Sequence, residues 1–103
     1  GGEPFEPDNQ SAVLELVERV RRALPQKTVW CYSGYLFEEL AAGEVGDHSR
    51  VLLEQLDVLV DGPFVLAKKD LGLRFRGSSN QRIIDVPASL AAGEVRLAEE
   101  FMQ

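Results

Sequence analysis

Stretches with an apolar residue every three or four positions alternate, along this chain, with short runs that are apolar nearly throughout. From Asp8 to Leu24, "DNQSAVLELVERVRRAL", the apolar side chains fall at Val13, Leu14, Leu16, Val17, Val20 and Leu24. That spacing predicts a helix with one buried stripe. Asp8 or Asn9 is placed to cap its start, Arg21 and Arg22 suit its C-terminal end, and Pro25 stops it. "KTVWCY", Lys27–Tyr32, is near-continuously apolar and predicts a strand buried on both faces of a parallel sheet. "LFEELAAG" predicts a short helix closed by Gly43, and "SRVLLEQL" a further helical turn or two. "DVLVDGPF" repeats the strand pattern and breaks at Asp61-Gly62-Pro63. After a polar connector with Lys68, Lys69 and Asp70, "LRFRG" and "RIIDV" read as strands on either side of the loop "SSNQ". Pro87 then opens a last helical stretch with an acidic tail.

This order predicts an α/β fold with a mostly parallel sheet and flanking helices. Residues 1–86 carry that pattern and residues 87–103 form a helical tail. "LAAGEV" occurs at 40–45 and again at 90–95. Two helix ends sharing a glycine stop account for it, and a repeat architecture does not follow.

Composition narrows the function. The chain has 103 residues and a formal net charge of −6, so it is one domain at most. The charge argues against a nucleic-acid or membrane reader that works by bulk positive charge. No apolar run approaches the roughly 20 residues of a membrane-spanning helix. A single cysteine, Cys31, excludes an internal disulfide framework. It cannot hold an iron–sulfur cluster alone, since about three or four cysteines are needed. The expectation is a soluble cytoplasmic protein. His48 has no second histidine, so neither a zinc site nor a catalytic triad is available, and it reads as a helix-start residue. Trp30 and Phe75 read as packing residues.

In α/β sheets, ligands gather at the carboxyl ends of strands. Three turns fall there: Gly1-Gly2-Glu3-Pro4 (if a strand precedes it), Tyr32-Ser33-Gly34-Tyr35 and Val60-Asp61-Gly62-Pro63. Together they put Glu3, Ser33 and Asp61 on one rim. Glycines let backbone approach a ligand closely, and the carboxylates would accept from an ammonium group. Each turn alone is ordinary turn chemistry, and only the grouping points to a ligand. In "RFRGSSNQR", Arg74, Arg76 and Arg82 flank a polar loop. Those donors suit carboxylate or phosphate. The plain alternative is a solvated hairpin connection with Arg74 and Arg76 outward and Phe75 inward.

"GGEP" resembles the glycine-glycine-glutamate-proline turn of radical S-adenosylmethionine enzymes. It is followed in order by "VWCYSGYLFEEL", "DVLVDGPFV", "KDLGLRFRGSSNQR" and "IIDV". The series, residues 1 to about 86, resembles the glycyl-radical-enzyme activases that serve anaerobic ribonucleoside-triphosphate reductase. The resemblance implies the C-terminal part of a partial (βα)6 radical-SAM barrel. It also implies reductive cleavage of S-adenosylmethionine at a 4Fe-4S cluster, leaving a glycyl radical on the reductase. The implied partners are that reductase and an electron donor such as flavodoxin. Carried over by position, Gly1, Gly2 and Glu3 would hold the ammonium of S-adenosylmethionine, with Ser33 and Asp61 nearby. Related activases can carry a lysine two residues after the aspartate; here that position is Pro63, so Arg74 or Arg76 is assigned to the methionine carboxylate.

The family's CxxxCxxC motif, expected before the GGEP turn, is absent from this chain. The chain alone is therefore expected to be inactive. A part-barrel would leave a sheet edge and an apolar face uncovered, so self-association is expected. Two other readings compete: a non-catalytic α/β interaction module, and an activase of a different glycyl radical enzyme. A start codon close upstream would favour the module, an upstream CxxxCxxC the enzyme, and "RGSSNQR" leans toward the reductase.

Overall fold

The computed structural model describes residues 2–102, and Gly1 lies outside them. The first helix, α1 (Pro7–Ala23), begins earlier than the apolar pattern indicates, with Glu6 at its cap and Pro7 in its first turn. Proline has no amide hydrogen, and the first amides of a helix have no carbonyl partner within it, so the missing hydrogen costs nothing at that place. Asn9, expected as a cap, donates its side-chain amide to the Glu3 carbonyl at 3.1 Å.

Next come β1 (Trp30–Ser33), α2 (Phe37–Ala41), α3 (Ser49–Glu54) and β2 (Val58–Asp61), the last buried at all four positions. His48 stands at the cap of α3, as its sequence context predicts. β3 (Arg82–Asp85) runs straight into α4 (Val86–Ala92), which Asp85 caps by accepting from the Ala88 amide at 3.0 Å. The two "LAAGEV" copies do share a helix stop: Gly43 at φ 76° and Gly93 at φ 72° are both left-handed.

The sheet has the order β1-β2-β3. β1 and β2 are parallel, with Ser33 opposite Asp61, whereas β2 and β3 are antiparallel, with Asp61 opposite Arg82. The α/β class holds, but the sheet is mixed and the expectation of a mostly parallel one fails. Parallel neighbours need a crossover that returns the chain to the starting end, and α2 with α3 supplies one between β1 and β2. Between β2 and β3 the chain makes only a tight 3-10 turn at Leu66–Lys68 and closes on itself through a Lys69–Ser78 bridge. It therefore re-enters the sheet at the end it left. The strand expected at "LRFRG" is also missing. Phe75 has φ 66°, a left-handed conformation that interrupts extended backbone.

Alternation along the strands divides the core in two. Cys31, Leu59 and Ile84 face the helices, packing with Phe5, Phe37, Leu40, Leu52 and Leu53. Each wholly buried leucine or isoleucine there contributes roughly 1.5–3 kcal/mol over leaving it in water. Val58, Val60 and Ile83 face the other way, where Trp30, Ala98, Phe101 and Met102 cover them. Trp30 lies 4.8 Å from Phe101 and 5.2 Å from Phe75 between ring centres, so both predicted packing aromatics do pack. The outer edge of β3 is closed by the C-terminal segment, through Asp85 N to Arg96 O at 2.9 Å and Ala98 N to Ile83 O at 2.8 Å. Among the described residues no helix is long and apolar enough to cross a membrane.

Candidate functional site

Parallel pairing sets the carboxyl ends of β1 and β2 side by side, with Ser33 next to Asp61. One side chain brings the Gly2–Pro4 turn to that rim. The Glu3 carboxylate accepts from the Phe5 amide at 2.9 Å and the Ser33 hydroxyl at 2.9 Å through Oε2. Its Oε1 accepts from the Gly34 amide at 2.7 Å. Ser33 Oγ in turn accepts from the Tyr35 amide at 3.0 Å. Bonds to a charged acceptor are roughly twice as strong as neutral ones, so this clasp joins two distant parts of the chain firmly. Three of the four acceptor positions on the carboxylate are filled, which leaves one on Oε1. Gly2 has open space where a Cβ would stand. Beside the turn, Gly2, Glu3 and Pro4 border an open, mostly apolar groove of about 450 Å³ with Asn9, Ala12, Val13 and Leu16 of the first helix.

Asp61 holds the other end of the same loop. It is wholly buried and accepts from the Phe37 amide at 2.7 Å, at the start of α2. Arg82 meets it with two bonds, Nε to Oδ1 at 2.9 Å and Nη2 to Oδ2 at 2.6 Å. Arg82 also reaches Glu38, at 2.7 and 3.2 Å. The segment from Ser33 to Phe37 is thus held at its beginning by Glu3 and at its end by Asp61. Hydrogen bonding to Arg82 holds the Glu38 carboxyl below the usual glutamate range, and Asp61 and Glu38 raise Arg82 in return. Burial, then the charges of Glu6 and Glu3, raise the Tyr35 hydroxyl above its ordinary value. Burial, then Glu3, pushes the Cys31 thiol up to about 12, so it is protonated at neutral pH.

The structure thus joins Glu3 to Ser33 directly and sets Asp61 at the far end of the loop they anchor. The two arginines lie elsewhere. Arg74 stands over the Phe75 ring at 5.6 Å. Arg76 donates to the carbonyls of Gln81 at 3.1 Å and Ser79 at 3.4 Å, and its Nε is buried without a partner. Among the described residues no hydrogen bond or ion pair links either arginine to Glu3, Ser33 or Asp61. Sequence reasoning passed over Arg82 as a site residue. The signal was there: β2 ends in an aspartate, and a buried carboxylate requires a cation. Among the described residues no group of three or more His, Cys, Asp or Glu side chains is placed to hold a metal ion.

Residues 1–84 match the family described as a 4Fe-4S single cluster domain. A protein of Vibrio cholerae named anaerobic ribonucleoside-triphosphate reductase-activating protein is 47% identical over 83 residues, covering 81% of this chain and 50% of that protein. Proteins of the same name from Escherichia coli K12 and Enterobacteria phage T4 are 42% and 34% identical, covering 79% and 81% of this chain and 49% and 48% of their own lengths. The chain spans about half the length of these curated relatives. No solved structure matches it.

Proposed function

The chain belongs to the 4Fe-4S single cluster domain family, and from that premise we propose that it is part of a protein that activates anaerobic ribonucleoside-triphosphate reductase. The cluster itself does not fit the residues present. Cys31 is the chain's one cysteine, is buried in β1 and keeps its proton at neutral pH.

S-adenosylmethionine does fit. Its ammonium group needs acceptors and room for close approach, and the turn offers the free Oε1 position of Glu3 beside the open space at Gly2. On this reading Gly1, Gly2 and Glu3 hold the ammonium, and Ser33 keeps the Glu3 carboxylate aimed. Asp61 acts through the loop it anchors at Phe37. Arg76 has an unmatched donor and bonds to Gln81, the neighbour of Arg82 at the rim. It takes the methionine carboxylate, with Arg74 as the second candidate. When bound, and given one electron by a donor outside this chain, S-adenosylmethionine would supply the radical chemistry that takes a hydrogen atom from a reductase glycine. The helices α1 to α4 on one face of the sheet and the parallel β1–β2 pair support a segment of a partial (βα)6 barrel, and the antiparallel β3 departs from one.

The observation that carries this proposal is the Glu3–Ser33–Gly34 clasp. Titrating S-adenosylmethionine into the chain is expected to shift the amide resonances of Gly2, Glu3 and Gly34. Glu3→Gln is expected to weaken binding about tenfold or more, the scale of one charged hydrogen bond. Saturating ligand that leaves those amides unmoved overturns the proposal. Unchanged affinity in Arg76→Ala removes only the arginine from it.

A further inference from the structure

The connection from Gly62 to Gly77 takes no part in the Glu3 clasp, and its composition sets it apart. It holds Lys68, Lys69, Arg74 and Arg76 against the single carboxylate of Asp70, a net charge of +3 in a chain of −6, which leaves −9 on the remaining residues. It also turns large apolar side chains to solvent: Leu71 is 90% exposed, Leu66 73% and Phe64 53%. Apolar side chains grouped at the surface mark a contact site.

The connection is pinned in place. Its neck is closed by Ser79 N to Lys68 O at 2.9 Å, Val65 N to Ser78 Oγ at 3.2 Å, Asn80 Nδ2 to Pro63 O at 2.8 Å and Gln81 Nε2 to Gly62 O at 3.1 Å. Phe75 is held in its left-handed conformation against Trp30 and Phe101. A surface ordered in advance loses little freedom on binding. The connection starts at the rim, since Gly62 follows Asp61, and its far end is tied toward it, since the Gly77 amide donates at 2.9 Å to Gln81 Oε1, the residue before Arg82. A protein that presents a segment to the rim can therefore rest on the connection as it does so.

We propose that residues 62–77 are the docking surface for the reductase, which meets them with an acidic patch containing an apolar recess. This rests on the function proposed above. Leu71 is the anchor that enters the recess, and Lys68 and Lys69 steer and orient the approach.

The test is binding of this chain to anaerobic ribonucleoside-triphosphate reductase across a series of salt concentrations. Lys68→Glu/Lys69→Glu is expected to weaken association about tenfold at low salt and to flatten its salt dependence. Leu71→Ser is expected to weaken it at every salt concentration. All three residues are exposed, so thermal unfolding is expected to stay unchanged, as is the S-adenosylmethionine titration. If both variants bind the reductase like the parent chain, the docking surface falls while the functional reading stands. If the parent chain fails to bind the reductase although the ligand still shifts Gly2 and Glu3, the partner and the surface both fall. If the variants keep reductase binding and lose a dimer in sedimentation, the surface is a self-contact and the proposal is overturned.

Discussion

Arg82→Met is the perturbation that the geometry weights most heavily. Asp61 is wholly buried, and Arg82 supplies two of its three hydrogen bonds. Without the guanidinium, a buried charge keeps one amide as its partner. Breaking a buried pair from one side costs about 3–5 kcal/mol. The Arg82 side chain is 31% exposed, so water entering its place tempers the loss, and the lower end, about 3 kcal/mol, is expected. That is a large share of the roughly 5–15 kcal/mol that holds a domain together. It corresponds to a fall of roughly 12–24 °C in the unfolding midpoint. Urea unfolding followed by the fluorescence of Trp30 measures it. The exposed pair Arg19–Glu15 is the control, and Arg19→Met is expected to change stability by less than about 0.5 kcal/mol. In Asp61→Asn/Arg82→Met no charge is stranded, and the carboxamide oxygen that replaces the carboxylate still accepts from the Phe37 amide. The pair of changes is therefore expected to cost less than Arg82→Met alone. A loss below about 1 kcal/mol in Arg82→Met, or a double variant no better than the single, refutes the argument.

Two further outcomes are expected. Glu38 is held below the usual glutamate range by Arg82, so its contribution is complete above the unfolded value of about 4.3 and is lost as pH falls through the lower folded value. Its side chain is 60% exposed and solvent screens the pair, so the effect is small. Urea midpoints measured down the acid limb should drop less in Glu38→Gln than in the parent, and parallel curves would count against the ion pair. Gly43→Ala and Gly93→Ala should each cost about 1–2 kcal/mol, because both positions are left-handed while neither has an atom within 4 Å of an added Cβ. A cost near zero at either position in the same unfolding assay would remove the backbone argument there.

What the sequence revealed was mostly local. Apolar spacing placed α1, β1 and β2, and a glycine after each of two apolar helical runs placed their ends; β1, expected to be buried on both faces, instead lies at the sheet edge with Tyr32 exposed, and only β2 is buried throughout. The rim at Ser33 and Asp61 was legible because turn residues follow predicted strands, while Glu3 was set there on the condition of a strand before it. Strand direction was not legible. The antiparallel setting of β3 depends on residues 62–81 folding back through the Lys69–Ser78 bridge, a contact with no local signature. "LRFRG" has the alternation of a strand, but φ at Phe75 follows from its packing on Trp30 and Phe101, which are distant in sequence. Arg82 was read with Arg74 and Arg76 as a donor flanking a polar loop; the aspartate at the end of β2 called for a cation, and laying β2 and β3 in register identifies Arg82 as that cation. Ser33 and Asp61 flank one loop because β1 and β2 are parallel neighbours, and Glu3 reaches it through its carboxylate, whereas Arg74 and Arg76 were assigned from the resemblance, in place of a lysine, with no such placement.

The sheet has one finished edge and one bare edge. The outer side of β3 is bridged by Leu97 and bonded to Arg96 and Ala98. Among the described residues no strand pairs with the outer side of β1. A newcomer to this sheet therefore has a single berth, alongside Trp30–Ser33. If it runs parallel, its carboxyl end arrives next to the Glu3 clasp. Lengthening the sheet and enlarging the ligand rim are then the same event, and the molecule can be extended in one direction only.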